Sequence, residues 1–428
     1  MAILRAVHLA NLALDDNRTL LVTYNKALRG YLQHLTGRAG ANLDIETYHR
    51  VARGYLHGRG LMGEGDILDG AMRHGVLRQA IRDVVEAGRE SEVLARPVDF
   101  FADELDWISG NGLATRHAYL EAERRGRATA LGAGPRKAIW HVREEYLTRR
   151  AARGRRYDWW ELPSAILREL ENDETPRRYR HILIDEAQDL PPQAIRSLVK
   201  LMQPGGTVTL FADYAQQLYG YHTSYASCGL RVRKAETFRE NYRNSAGIAR
   251  LAIAASALPH FPDRSDLVEP TSPATAGVPP TLYRAASHED AMRAVQSQAS
   301  QLASIGTVAI LAKTWREAAY WAGRLPHREL NENQAWRPDG GLYVGTYYSA
   351  KGLEFDAVIL PDLGSARFPD PDRVAAFGRP EALERDARLL YVGITRARAE
   401  LLVTFRGELT ELLPHAESGL WAVTGSDS

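Results

Sequence analysis

Apolar positions along this chain recur in two rhythms that take turns. Ile3, Val7, Ala10 and Leu14 fall on one face of a helix predicted over residues 1 to about 14. Asp15-Asp16-Asn17 ends it, and the β-branched, apolar run 19–23 reads as a buried strand. A second helix starts near Lys26, a short strand-like piece spans about 42–45, and a further helix follows Glu46-Thr47-Tyr48-His49. Strand-helix alternation of this kind marks a parallel α/β sheet. From about residue 55 to 175 the period becomes mainly helical. The alternation resumes at His181 and runs through 208–212. A Pro/Ser/Thr/Ala-rich passage, roughly 259–280, then reads as a linker. Strand-like runs at 281–284, 308–312, 342–346, 357–360 and 400–404, with helices between them, predict a second α/β domain. The expected organisation is therefore a first α/β domain from residues 1–54 and 176–258, a helical insertion at 55–175, a linker at 259–280 and a second α/β domain at 281–428.

Length and composition fit this division. A chain of 428 residues is too long for one ordinary core. Its apolar fraction of 45% and charged fraction of 25% are those of a globular protein. The formal charge of +1 advertises no nucleic-acid partner by itself, so only local clustering could. Such a cluster lies at about 115–157, where Arg116, Arg124, Arg125, Arg127, Arg136, Lys137, Arg143, Arg149, Arg150, Arg153, Arg155 and Arg156 face few acids. A solvated helical face and contact with a phosphate backbone are both open for it. The interleaved Tyr119, Trp140, Tyr146 and Trp159 could serve as core or as base-stacking platforms, and their helical spacing favours core. Cys228 is the single cysteine, which excludes an intramolecular disulfide and a multi-cysteine zinc site and reads as inert packing. No apolar run reaches the ~18 residues a membrane span needs. The best candidate, 247–258, is short and broken by Arg250, and the N-terminus lacks the basic lead of a signal peptide. A cytoplasmic location is expected.

The chemistry concentrates at strand ends. The apolar run 181–184 stops abruptly at Asp185-Glu186, followed by Ala-Gln-Asp and the Pro191-Pro192 pair that opens a helix. Carboxylates at the carboxyl end of a buried strand sit where open α/β sheets bind ligands. Asp185 is placed to hold Mg²⁺ through water, and Glu186 to deprotonate a water for attack on a γ-phosphate. A solvated acidic turn is the plain alternative for a lone Asp-Glu pair. Five further segments in order weigh against it: Thr23-Tyr24-Asn25-Lys26, then 213–219 (Asp-Tyr-Ala-Gln-Gln-Leu-Tyr), Glu240-Asn241-Tyr242-Arg243, 346–355 (Thr-Tyr-Tyr-Ser-Ala-Lys-Gly-Leu-Glu-Phe) and 390–398 (Leu-Tyr-Val-Gly-Ile-Thr-Arg-Ala-Arg).

Together with the Asp-Glu strand, these resemble motifs Ia, II, III, IV, V and VI of the UvrD/Rep/PcrA family of superfamily 1 helicases, over essentially the whole chain. The resemblance implies two RecA-like domains with ATP between them and single-stranded DNA across both, and ATP hydrolysis coupled to translocation, typically 3′ to 5′. It assigns Asp185 to Mg²⁺, Glu186 to the base and Gln216 to γ-phosphate sensing. Arg243 and Arg396 become the arginines that close on the γ-phosphate, a role suited to a planar guanidinium. Tyr242 matches an adenine-stacking position and Glu354 a ribose-facing carboxylate. Tyr24, Asn25, Thr47, Tyr48, His49, Tyr221, Thr346 and Tyr348 match DNA-facing positions, where aromatic stacking suits a motor that tracks any sequence.

Some positions depart from the family pattern. Motif III begins Ala212-Asp213 where Gly-Asp is usual, and Tyr348 replaces a histidine in motif V. The short spacing between motifs IV and VI leaves little room for a large insertion in the second domain, so unwinding is expected to need another protein. No Gly-x-x-x-x-Gly-Lys-Ser/Thr occurs in the 428 residues; the nearest stretch, 132–138, has the wrong spacing and no hydroxyl after its lysine. The opening helix resembles the one that follows the P-loop in the family, so a start just after the phosphate-binding turn is expected. The expected consequence is very weak ATP hydrolysis by this polypeptide alone, with the P-loop supplied by an upstream segment or a partner chain. A non-hydrolysing DNA-binding protein is the alternative.

Overall fold

A computed structural model describes residues 1–12, 17–23, 25–36, 42–124, 127, 129–218, 224–232, 234–238, 243–261, 278–331 and 340–425. Two wholly parallel sheets organise them, in the RecA-like manner. The first is four-stranded in the order β2-β1-β3-β4, from β1 (Arg18–Thr23), β2 (Leu43–Thr47), β3 (Tyr179–Ile184) and β4 (Met202–Leu210). The second is seven-stranded in the order β11-β5-β10-β9-β6-β8-β7, from β5 (Thr281–Arg284), β6 (Thr307–Ala312), β7 (Arg328–Glu329), β8 (Gly341–Thr346), β9 (Phe355–Leu360), β10 (Ala397–Phe405) and β11 (Ala422–Gly425). Strands buried on both faces need continuous apolar runs. Leu20-Leu21-Val22, Ile182-Leu183-Ile184 and Val308–Leu311 supply them, and all are buried.

Register decides what emerges at the strand ends. Val22 pairs with Ile184, and Ile184 with Leu210, so the segments after β1, β3 and β4 leave the first sheet side by side. In the second sheet Ala312 pairs with Thr346. Parallel strands return through helices, and those helices cover both faces.

The insertion has its own core. The helices Gly70–Glu86, Val98–Asn111, Arg116–Glu121 and Ala133–Ala151 bury Leu77, Phe101, Ile108, Tyr119, Ile139, Trp140 and Tyr146 together. Tyr119, Trp140 and Tyr146 are thus core residues. Much of the basic stretch is used internally. Arg124 pairs with Glu104 at 2.7 Å, Arg127 with Asp103, Arg149 with Asp83 and Arg150 with Glu161, while Arg136 donates to the carbonyls of Tyr119, Leu120, Ala122 and Leu131. At its margins the helices Tyr48–Gly58 and Leu162–Leu170 belong to the core of the first sheet.

One helix changes sides relative to the sequence division. Ala246–Ser256 packs against the helix Arg379–Ile394 and β10, so it sits on the second sheet rather than the first. Ser245 N–H to Arg398 O (2.8 Å) and Asn244 Nδ2 to Ala397 O (2.5 Å) fix its start there. Among the described residues, no helix is long and apolar enough to cross a membrane. Cys228 is buried with its thiol on Pro192 O at 3.6 Å, as inert packing requires.

Candidate active site

The acidic turn after β3 is tied into the sheet from both sides. Asp185 N–H donates to Val22 O, Phe211 N–H to Ile184 O and Ala187 N–H to Phe211 O, each at 2.9 Å. Between these bonds Glu186 adopts φ 53°, ψ 42°, a left-handed conformation that costs an L-residue about 1–2 kcal/mol. Strain of this kind persists where neighbouring bonds over-determine it. The turn brings the Glu186 carboxylate to Gln188 Nε2 at 2.6 Å.

From there a hydrogen-bond chain crosses to the second sheet. Gln188 Oε1 accepts from Asp213 N–H at 3.1 Å, Asp213 Oδ2 accepts from Gln216 Nε2 at 2.7 Å, and Gln216 Oε1 accepts from Arg396 Nη2 at 2.6 Å. Arg396 stands at the end of the helix Arg379–Ile394 and is wholly buried. Its guanidinium also donates to Val392 O (3.0 Å) and Leu353 O (3.2 Å). The expected base, sensor glutamine and one expected arginine therefore share a single network.

Burial and like charge set the ionisation here. Burial, then the neighbouring Glu186 charge, push the Asp185 carboxyl up. Burial also works upward on Glu186 and is its largest influence, but the Lys351 ammonium and the Arg396 guanidinium outweigh it and hold the carboxyl below its usual range. Burial and then the like charge of Arg243 push Arg396 down to about 10, so it stays cationic at neutral pH. Among the described residues no group of three or more His, Cys, Asp and Glu side chains could hold a metal. Mg²⁺ commonly needs only one or two carboxylates beside water and phosphate oxygens. The Asp185 carboxyl, which accepts from Glu186 N–H at 3.2 Å, suits that donor set.

The other expected residues are distributed as follows. Arg243 pairs with Glu354 at 2.5 Å, at the cleft rim. Asn25 caps the helix Lys26–Thr36 by accepting from Leu28 N–H at 2.8 Å. Its Nδ2 reaches over to the second domain's 346–352 loop, to Lys351 O at 3.0 Å and Tyr348 O and Ser349 O at 3.4 Å. Thr346 is buried in that loop and accepts from Ser349 N–H at 3.0 Å, and the Tyr348 hydroxyl lies 3.4 Å from Arg373. Thr47 and Tyr48 are core residues in this arrangement, the Tyr48 hydroxyl 2.7 Å from Ser197. His49 is half-buried, edge-on to Trp159 (5.1 Å) and Trp160 (5.7 Å). Tyr24, Tyr221 and Tyr242 lie outside the described residues.

Gln188, Asp189 and Lys351 lie inside the 185–189 and 346–355 segments but carry no role legible from the sequence. Gln188 bridges Glu186 to Asp213. Lys351 is wholly buried; its ammonium binds Asp189 and Gln216 O and lies 3.5 Å from Glu186. A lysine directly before the left-handed Gly352 was the available signal.

Two wholly parallel sheets, joined by the hydrogen-bond chain from Glu186 to Arg396, define a RecA-like two-domain protein. Residues 3–235 match the UvrD/REP helicase N-terminal domain, and residues 342–408 the UvrD-like helicase C-terminal domain. The chain belongs to the UvrD/REP helicase family. A 65-residue stretch is 42% identical to the ATP-dependent DNA helicase UvrD2 of Mycobacterium tuberculosis (strain ATCC 25618 / H37Rv), covering 15% of this chain and 9% of that protein. A 77-residue stretch is 38% identical to DNA helicase II of Escherichia coli (strain K12), covering 18% of this chain and 10% of that protein. The aligned stretches thus span a small part of these relatives. Among solved structures, S. cerevisiae Dbp5 bound to RNA and ADP BeF3 overlaps 57% of this chain and 58% of its own at 12% identity, with a TM-score of 0.31.

Proposed function

We propose that this chain is the two-sheet motor of an ATP-dependent helicase that moves on single-stranded DNA, in the 3′ to 5′ direction. The observation that carries the reading is the hydrogen-bond chain from Glu186 through Gln188, Asp213 and Gln216 to Arg396. It joins a carboxylate on one sheet to a guanidinium on the other, across the cleft where nucleotide-driven closure would be sensed. Phosphoryl transfer needs positioning and charge neutralisation more than covalent chemistry. Glu186, kept ionised by Lys351 and Arg396, takes the proton of the attacking water. Arg396 and Arg243 neutralise charge on the transferred phosphate, Gln216 relays its presence, and Glu354 meets the ribose. Asp185 would hold Mg²⁺ through water, and the ion would supply charge neutralisation between phosphate oxygens. Asn25, Tyr348 and His49, each partly exposed, are the residues assigned to the DNA-facing edges, and Thr346, which is buried, is not.

No Gly-x-x-x-x-Gly-Lys-Ser/Thr, the sequence that cradles β- and γ-phosphates, occurs in the 428 residues. The reading therefore assigns that cradle to an upstream segment or a partner chain and expects very weak turnover by the 428 residues alone. The test combines oligothymidylate binding by fluorescence anisotropy with DNA-stimulated phosphate release, in wild type and Glu186→Gln. Salt-sensitive DNA binding, with release that rises when the phosphate loop is supplied and is lost in the variant, supports the motor. Binding with no turnover even then selects the non-hydrolysing DNA-binding reading. Absence of DNA binding sinks both.

A further inference from the structure

We propose that Lys351 is a positioning residue: carried on the second sheet's 346–352 loop, it enters the first domain and holds the Glu186–Asp189 turn in its working geometry only while the sheets are closed. The closure half of this inference stands on geometry alone; the positioning half rests on the function proposed above.

Lys351 and Asp189 come from motifs 162 positions apart, and both side chains are wholly buried. The ammonium is shared between the Asp189 carboxylate and Gln216 O, with Glu186 at 3.5 Å. It therefore touches the turn that carries the base and the segment that carries the sensor glutamine. Asp189 is fixed in turn, accepting from Leu218 N–H at 2.9 Å. The loop that delivers the lysine is held by first-domain atoms as well, through the three carbonyl contacts of Asn25 Nδ2. Gly352 has φ +79° and lies so close to Leu28 that a Cβ would stand 2.4 Å from Leu28 Cδ2. Backbone and side chain thus meet the first domain together.

The physics of a buried pair gives this arrangement its selectivity. Two charges taken out of water gain little net stability from each other. Removing one partner, however, strands the other charge in the closed state, whereas the open state hydrates it. Removing both charges relieves that penalty. A lysine that merely filled space would behave differently, since a second substitution beside it could only add to the loss.

The test reads the distance between the sheets by single-molecule energy transfer in the full chain. Dyes are placed at Lys200→Cys on the first domain and at Ile305→Cys, 80% exposed on the second, in a Cys228→Ser background. Lys351→Met and Asp189→Asn are each expected to lower the closed-to-open ratio by about tenfold or more. The double variant is expected to recover to within about threefold of wild type, as replacement of a whole buried pair allows. With the phosphate loop supplied, the double variant closes but still turns over ATP about tenfold or more slowly with its KM nearly unchanged, because the Glu186–Asp189 turn has lost the side chain that holds it. A ratio in Lys351→Met equal to wild type overturns the inference, and so does a double variant worse than either single one. Should Lys351→Met fail to fold, Asp189→Asn and the double variant carry the same comparison. If the closure results hold while turnover is indifferent to Glu186→Gln, the latch stands and the proposed function fails.

Discussion

Phe377→Ala tests how the helical insertion is joined to the second sheet. Phe377 ends the helix Pro371–Phe377, is 8% exposed and lies in the insertion's core cluster, its ring 6.2 Å from Phe100. The Arg385 guanidinium covers the ring at 4.0 Å, and Thr129 Oγ1 donates to Phe377 O at 2.9 Å. Around it, Arg385 reaches Asp103 at 2.9 Å and Thr129 donates to Glu381 at 2.7 Å. Truncating a buried phenylalanine costs about 3–5 kcal/mol, and a site between domains can relax, so about 3 kcal/mol is expected. Since every 1.4 kcal/mol is tenfold, the docking constant should fall on the order of 100-fold. Hydrogen exchange resolved by segment measures it. Amides of Pro371–Phe377 and of the Val98–Asn111 helix should exchange on the order of 100-fold faster, with β3 unchanged. Phe377→Leu should lose only a small part of that protection. Exchange within about threefold of wild type in Phe377→Ala would refute the claim that this side chain anchors the insertion.

Three further outcomes are expected. Burial, then the Lys26 charge, hold His49 down to about 4 against an ordinary 6.5, so its neutral form is favoured on folding. The associated stability is complete above pH 6.5 and is lost as pH falls toward 4, by roughly 3 kcal/mol, and chemical denaturation of His49→Gln should lack that slope. Gly352→Ala adds a Cβ against Leu28 at a left-handed position, so it should lower the closed fraction in the energy-transfer assay about tenfold, with partial recovery on adding Leu28→Ala. Cys228, 3% exposed and with its thiol pushed up by burial, should stay unreactive toward a thiol reagent until denaturant is added. Rapid native labelling would show that the Ala226–Cys228 turn opens.

The parts of the fold that were legible share a cause. Strands buried on both faces must be apolar throughout, so β1, β3, β6, β8 and β9 stand out as runs, and the residues that follow them are placed by register alone. What stayed hidden depends on partners remote in sequence. The helix Ala246–Ser256 is apolar around most of its surface, and nothing local says which sheet it covers. Arg124, Arg127 and Arg149 look like a free basic face because their acids, Glu104, Asp103 and Asp83, lie on the earlier helices Val98–Asn111 and Gly70–Glu86. Two-residue β7 and exposed β11 carry too little apolar signal to be read. Lys351 is the sharpest case. Its motif was visible, but its role depends on Asp189 and Gln216, which only tertiary closure brings to it.

The reading places nucleotide chemistry at the Glu186 turn. It is tested most directly by DNA-stimulated phosphate release from the chain supplied with a phosphate-binding loop, in wild type and Glu186→Gln. Removing a general base should slow release by about 10²–10⁴-fold while oligothymidylate binding is retained. Release that continues at the wild-type rate in Glu186→Gln would place the chemistry elsewhere in the protein.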